Sequence, residues 1–109
     1  MTDINALETS VLGWAAERGI LANSTASQQF LKLVSEMGEL ADNIAKGRDT
    51  RDDIGDCMVV LTIIARLMGT SLNECLSTAW EDIKDRKGYL NDRGVFIKES
   101  DNPQLSLGM

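Results

Sequence analysis

Apolar residues recur along this chain at steps of three and four, the spacing of one face of an α-helix. Ile4, Leu7, Val11, Trp14 and Ala15 make such a stripe over about residues 3–18, and Gly19 ends it. Phe30, Val34, Met37, Ala41 and Ile44 make a second over about 26–46. It is opened by Thr25 with Gln28 at capping-box spacing and closed by Gly47. A third segment covers about 51–68, with Thr50 as cap and Asp52 and Asp53 in the first turn, where acids suit the helix dipole. Its stretch from Met58 to Ile64 is rich in β-branched residues and compatible with a buried strand. The apolar pattern continues through Ala65, Leu67 and Met68 without a turn signal, which favours helix. The fourth covers about 72–87, with Ser71 and Glu74 as a second capping box and Leu72, Cys75, Leu76, Ala79, Trp80 and Ile83 as its apolar face. Beyond Gly88, only Gly94-Val95-Phe96-Ile97-Lys98 reads as a short extended piece.

The predicted architecture is therefore all-α: a four-helix bundle-like protomer with a short extended C-terminal piece. It forms one domain over residues 1–98, followed by a polar tail over 99–109. The third segment is apolar around nearly its whole circumference, with a narrow polar stripe at Gly55, Thr62 and Arg66. Val59, Ile63 and Leu67 exceed what one neighbouring pair of helices can cover. This predicts a homodimer or homotetramer.

Composition narrows the chemistry. The 109 residues include no histidine, which excludes His-based general bases, nucleophile activation and His metal ligands. A formal charge of −6 speaks against nucleic acid as a partner. Cys57 and Cys75 cannot complete a four-ligand zinc site and read as buried free thiols. The first residues carry no basic stretch before an apolar run, and no apolar run is long enough to span a bilayer. A cytoplasmic protein with no membrane partner is expected.

The second segment also carries a polar stripe, Gln29, Lys32, Glu36, Glu39, Asn43 and Lys46, opposite its apolar face. Alone, such a stripe is more commonly a solvated face, here with a Lys32–Glu36 pair. Yet Glu36 and Glu39 are three residues apart, as are Asp53 and Asp56, and the short turn between the two segments makes them antiparallel neighbours. Asp53 and Asp56 extend the apolar face of the third segment, where an unpaired carboxylate must shift its pKa or find a cation. Two converging acid pairs on facing helices can form a four-carboxylate cage. Oxygen-only ligands select a hard cation, Mg²⁺ or Mn²⁺, which commonly also holds substrate phosphates.

These residues resemble a known family. Ser35-Glu36-Met37-Gly38-Glu39-Leu40, followed by Asp53-Ile54-Gly55-Asp56, is similar to the paired acidic motifs of the MazG-type nucleoside triphosphate pyrophosphohydrolases. Gln29-Phe30-Leu31-Lys32-Leu33, Ala79-Trp80, Lys84-Asp85-Arg86-Lys87-Gly88 and Gly94-Val95-Phe96-Ile97-Lys98 extend the resemblance over about residues 14–98. It implies an all-α dimer or tetramer that hydrolyses nucleoside triphosphates, dNTPs or non-canonical NTPs, to monophosphate and pyrophosphate with Mg²⁺. The implied metal ligands are Glu36, Glu39, Asp53 and Asp56. Two positions depart from the family pattern: Ser35 stands where a further Glu is frequent, and Asp53 stands where Glu is usual. The shorter Asp53 is expected to coordinate through water.

In the mechanism that this implies, Glu39 is the expected base. Lys32, Lys84, Arg86 and Lys98 are candidates for phosphate, with an ion pair to Asp82 as the other use of Arg86. Trp14 is a candidate for stacking on the base, with a core role as its alternative. The rival is a non-catalytic helical oligomer that binds a nucleotide or protein partner and keeps a structural metal.

Overall fold

A computed structural model describes residues 3–101. Helices α1 (Ile4–Glu17), α2 (Ile20–Asn23), α3 (Ala26–Ala45), α4 (Arg51–Leu67) and α5 (Leu72–Ile83) are followed by strands β1 (Gly88–Leu90) and β2 (Phe96–Lys98) and a single 3₁₀ turn, Glu99–Asp101. The chain divides into two compact units, one up to Cys75 and one from Leu76 onward. The polar tail expected over 99–109 lies outside the described residues after Asp101.

Local chemistry explains most element ends. Asp3 Oδ1 accepts from Ala6 N at 2.8 Å and starts α1. Thr25 and Gln28 form the complete capping box, each side chain accepting from the other's backbone N–H at 3.1 Å. Ser71 Oγ accepts from Glu74 N at 3.1 Å, and the Thr70 hydroxyl donates to Glu74 Oε2 at 2.7 Å. Thr50 makes no side-chain cap; Asp49 Oδ1 accepts from Arg51 N at 3.0 Å in its place. Gly47, at φ 68°, provides the left-handed turn that folds α4 back along α3.

In the first unit, α3 and α1 both pack on α4, with α2 against its side. The core comprises Ala15, Leu33, Val60, Ile63 and Ala65. Two expectations are corrected here. Of the polar stripe expected on α4, Arg66 is exposed, whereas Gly55 and Thr62 border a cleft with Ile4, Leu7 and Val11 of α1. Thr62 is buried because its hydroxyl donates to the Met58 carbonyl at 2.7 Å and needs no outside partner. Ile63 is likewise buried, and the apolar side chains that α4 exposes are Ile54, Met58 and Leu61.

The second correction concerns α3. Its apolar stripe was expected to face the core, but Phe30, Val34, Met37 and Ile44 are all more than half exposed. The side that meets α4 carries Leu33 and Glu36, both buried, with Gln29, Leu40 and Asn43 half-buried. Periodicity defines which residues share a face; it does not say which face the neighbour takes.

In the second unit, α5 stops at Ile83, short of the expected 87, because Gly88 opens an antiparallel hairpin with Gly88 opposite Lys98 and Leu90 opposite Phe96. A Cβ on Gly88 would collide with the Ile97 carbonyl, so this approach requires glycine. Trp80, expected in a core, is exposed. Among the described residues no single helix is long and apolar enough to cross a membrane.

Candidate functional site

The α3–α4 hairpin places two acid pairs along one seam. Oxygens of Glu36, Glu39 and Asp56 all lie within 4.8 Å of one another. Oxygens around an octahedral Mg²⁺ are about 2.9 Å apart when adjacent and about 4.2 Å when opposite, so these carboxylates would have to draw together to share one ion. Glu36 is the deepest of the three. Its Oε1 meets Lys32 Nζ at 3.0 Å, whereas its Oε2 is buried without any hydrogen-bond partner. A buried carboxylate oxygen left in this way costs about 1–3 kcal/mol. A divalent ion would supply the partner that this oxygen lacks.

Asp53 sits differently. It is 9% exposed, and its Oδ2 accepts from Asn43 Nδ2 at 3.0 Å. Asn43 Oδ1 in turn accepts from Arg48. Asp53 therefore stands beside the three-carboxylate cluster with one oxygen already engaged. Asn43 lay on the polar stripe of α3 in the sequence, but nothing in its spacing marked it as the partner of Asp53.

The titration behaviour follows the crowding. The charge of Glu36 is the main cause that raises the Glu39 carboxyl above the ordinary range. Burial comes first for Asp56, followed by the charges of Asp52, Glu36 and Asp53, and again the shift is upward. The hydrogen bond and charge of Glu36 raise Lys32. Burial raises the Cys57 thiol, which sits beside the acids and is not a metal-ready thiolate.

A cleft of about 390 Å³ opens beside the acids, bordered by Trp14, Ile20, Gln29, Lys32, Glu36, Asp56 and the apolar wall of Val59, Val60 and Ile63. Trp14 is 45% exposed, so it is a wall of this cleft and not a core residue. The Arg18 guanidinium lies over its ring, 4.7 Å from the centroid. The stacking of Arg18 on Trp14 was not read from the sequence; its signal is the i+4 spacing of the two residues. Gln29 is anchored by donating to Ser24 Oγ at 3.0 Å.

The remaining basic candidates belong to the second unit. Lys84 pairs with Glu81 at 2.7 Å and Arg86 with Asp82 at 2.6 Å, the alternative use expected for Arg86. Phosphate contact by either would require exchange of that carboxylate. Lys98 lies on β2.

No family model matches the chain. An uncharacterised 18.2 kDa protein from the rep-hol intergenic region of Haemophilus phage HP1 is 40% identical over 68 residues, 61% of this chain. The match spans 42% of that relative's length. In structure, the chain is similar to the cyanophage S-2L MazG-like pyrophosphohydrolase bound to dGDP and three catalytic Mn²⁺ ions per active site. The TM-score is 0.66 at 18% identity, over 90% of this chain and 98% of that one. The chain has the fold of a MazG-like pyrophosphohydrolase. At such identity the likeness speaks for the fold, and the chemistry rests on the residues themselves.

Proposed function

We propose that this protein is a divalent-metal-dependent nucleoside triphosphate pyrophosphohydrolase, releasing nucleoside monophosphate and pyrophosphate, and working as a homodimer or homotetramer. The observation that carries the reading is Glu36: a buried carboxylate with an unpartnered oxygen, clustered with Glu39 and Asp56 on the edge of a cleft that Trp14 borders. The dGDP and Mn²⁺ held by the cyanophage protein of the same fold support a nucleotide and a divalent ion here.

Glu36, Glu39 and Asp56 would hold the ion directly, with Asp53 engaged through water while Asn43 keeps its other oxygen. Such an ion supplies charge neutralisation of the triphosphate and acidifies a bound water. Glu39 is exposed, so its carboxylate is within reach of the attacking water at the α–β anhydride and would accept its proton. Trp14, which borders the cleft, would stack on the base. The substrates we infer are dNTPs or non-canonical NTPs with Mg²⁺ or Mn²⁺. The charge of −6 favours a metal-bound small nucleotide over nucleic acid.

The assembly follows from the exposed apolar side of α3. Burial of the exposed half of Phe30, Val34, Met37 and Ile44 against a partner would contribute roughly 1–2 kcal/mol for each side chain. The test is product analysis: a panel of ordinary and modified dNTPs and NTPs with Mg²⁺ or Mn²⁺, scored for monophosphate plus pyrophosphate. Release of pyrophosphate supports the enzyme; metal binding with no release across the panel supports the non-catalytic oligomer instead.

A further inference from the structure

Lys32 stands where two cations compete. Its ammonium holds Glu36 Oε1 at 3.0 Å, and the Lys32 side chain is 60% exposed against 10% for Glu36. The other Glu36 oxygen is buried and unpartnered. A divalent ion arriving at that oxygen meets a carboxylate already half neutralised by an ammonium one helical turn away. The same ammonium is attracted by Glu39 and Asp56, so it opposes the ion at every member of the cluster. Lys32 also borders the cleft that Trp14 and Gln29 line, so its head, once off Glu36, is beside the space open to a nucleotide.

On the reading that this cleft takes a metal and a nucleotide, we propose that Lys32 is an exchangeable counter-ion. It neutralises Glu36 in the metal-free chain, yields to the divalent ion, and transfers to the phosphate oxygens of the substrate. The chemistry suits the task. A lysine ammonium is a compact point charge on a flexible stem, and a pair with one exposed partner is weak enough to exchange. The exchange makes ion and lysine antagonists before the nucleotide arrives and allies afterwards. Phosphate that draws Lys32 away from Glu36 tightens the ion, and by linkage the ion tightens phosphate by the same factor.

The test uses the whole chain as parent, Lys32→Met and Lys32→Arg. Calorimetric titration with Mn²⁺ alone is expected to show about fivefold tighter binding by Lys32→Met, since a like charge has been removed, and parent-like binding by Lys32→Arg. Titration with inorganic tripolyphosphate in excess Mn²⁺ is expected to show about tenfold weaker binding by Lys32→Met, restored by Lys32→Arg. In turnover the loss falls on KM and leaves kcat nearly unchanged. Opposite signs for metal and phosphate are the signature that a purely structural role would not produce. If Lys32→Met binds Mn²⁺ no tighter than the parent, or tripolyphosphate as tightly, the exchange is overturned while the proposed function stands. A parent that takes up no Mn²⁺ overturns both.

Discussion

The two faces of α3 carry opposite chemistry in opposite places. Against α4 lie Glu36, Asn43 and Gln29 around Leu33; on the open side lie Phe30, Val34, Met37 and Ile44. For a helix serving only stability the exposures would be reversed, because apolar area gains about 25 cal/mol per Å² on burial and a buried charge costs several kcal/mol. The inversion is coherent if each face awaits a different occupant: a cation and nucleotide on the inner face, another copy of the chain on the outer one. α4 shows the milder version, with Asp53 buried at its start and Ile63 buried in its middle.

The comparison can be broken from either side. The largest effect is expected at Glu39. Glu39→Gln keeps the shape, removes the charge and should lower the rate of pyrophosphate release about a hundredfold or more at saturating Mg²⁺. Equal rates would remove Glu39 from the mechanism. Next comes the outer face. Val34→Glu with Met37→Glu places like charges on an apolar patch of each protomer and should shift sedimentation to the monomer at micromolar concentration. Unchanged assembly would mean that another surface pairs the chains.

Smaller effects test the inner face without turnover. Excess Mg²⁺ or Mn²⁺ at about a hundred times Kd should stabilise by about 2.7 kcal/mol and raise Tm by about 10 °C. The variant with amides at Glu36, Glu39, Asp53 and Asp56 should lose that response. Asn43→Ala leaves Asp53 Oδ2 without its donor and should cost about 1–2 kcal/mol in denaturant unfolding of the metal-free chain. The smallest effect is on pH. Glu39 and Asp56 have raised carboxyls, so the folded chain holds their protons more tightly than the unfolded one. Their repulsion penalty is present at neutral pH and is relieved as pH falls through the raised pKa. Metal-free Tm should therefore rise as the pH is lowered from neutral towards the carboxylate range, and excess Mg²⁺ should flatten the slope.

Much of this was legible in the residues. Caps and glycines marked the ends of the long helices, and the acid pairs stood out because a separation of three fixes two carboxylates on one helical face. The orientation of α3 was not legible. A hydrophobic stripe points to an apolar neighbour, and sequence alone does not tell whether that neighbour is α4 or another copy. Thr62 misled for a related reason: its hydroxyl is satisfied by the Met58 carbonyl, so a polar residue could enter the α1–α4 contact. The Asn43–Asp53 bond, ten residues apart across a turn, depends on how α4 folds back and leaves no periodic trace. β1 was missed because three residues of Gly-Tyr-Leu are too short to show alternation; their pairing with β2 defines them.

The central claim is that the inner face of α3 is a cation site built around Glu36. Calorimetric titration of Mn²⁺ into the parent and into Glu36→Gln tests it directly. Binding by the parent with a loss of about a hundredfold in Glu36→Gln is the predicted result, since a charged ligand becomes a neutral one in a nearly water-free position. Equal Mn²⁺ affinity in the two proteins would contradict the account.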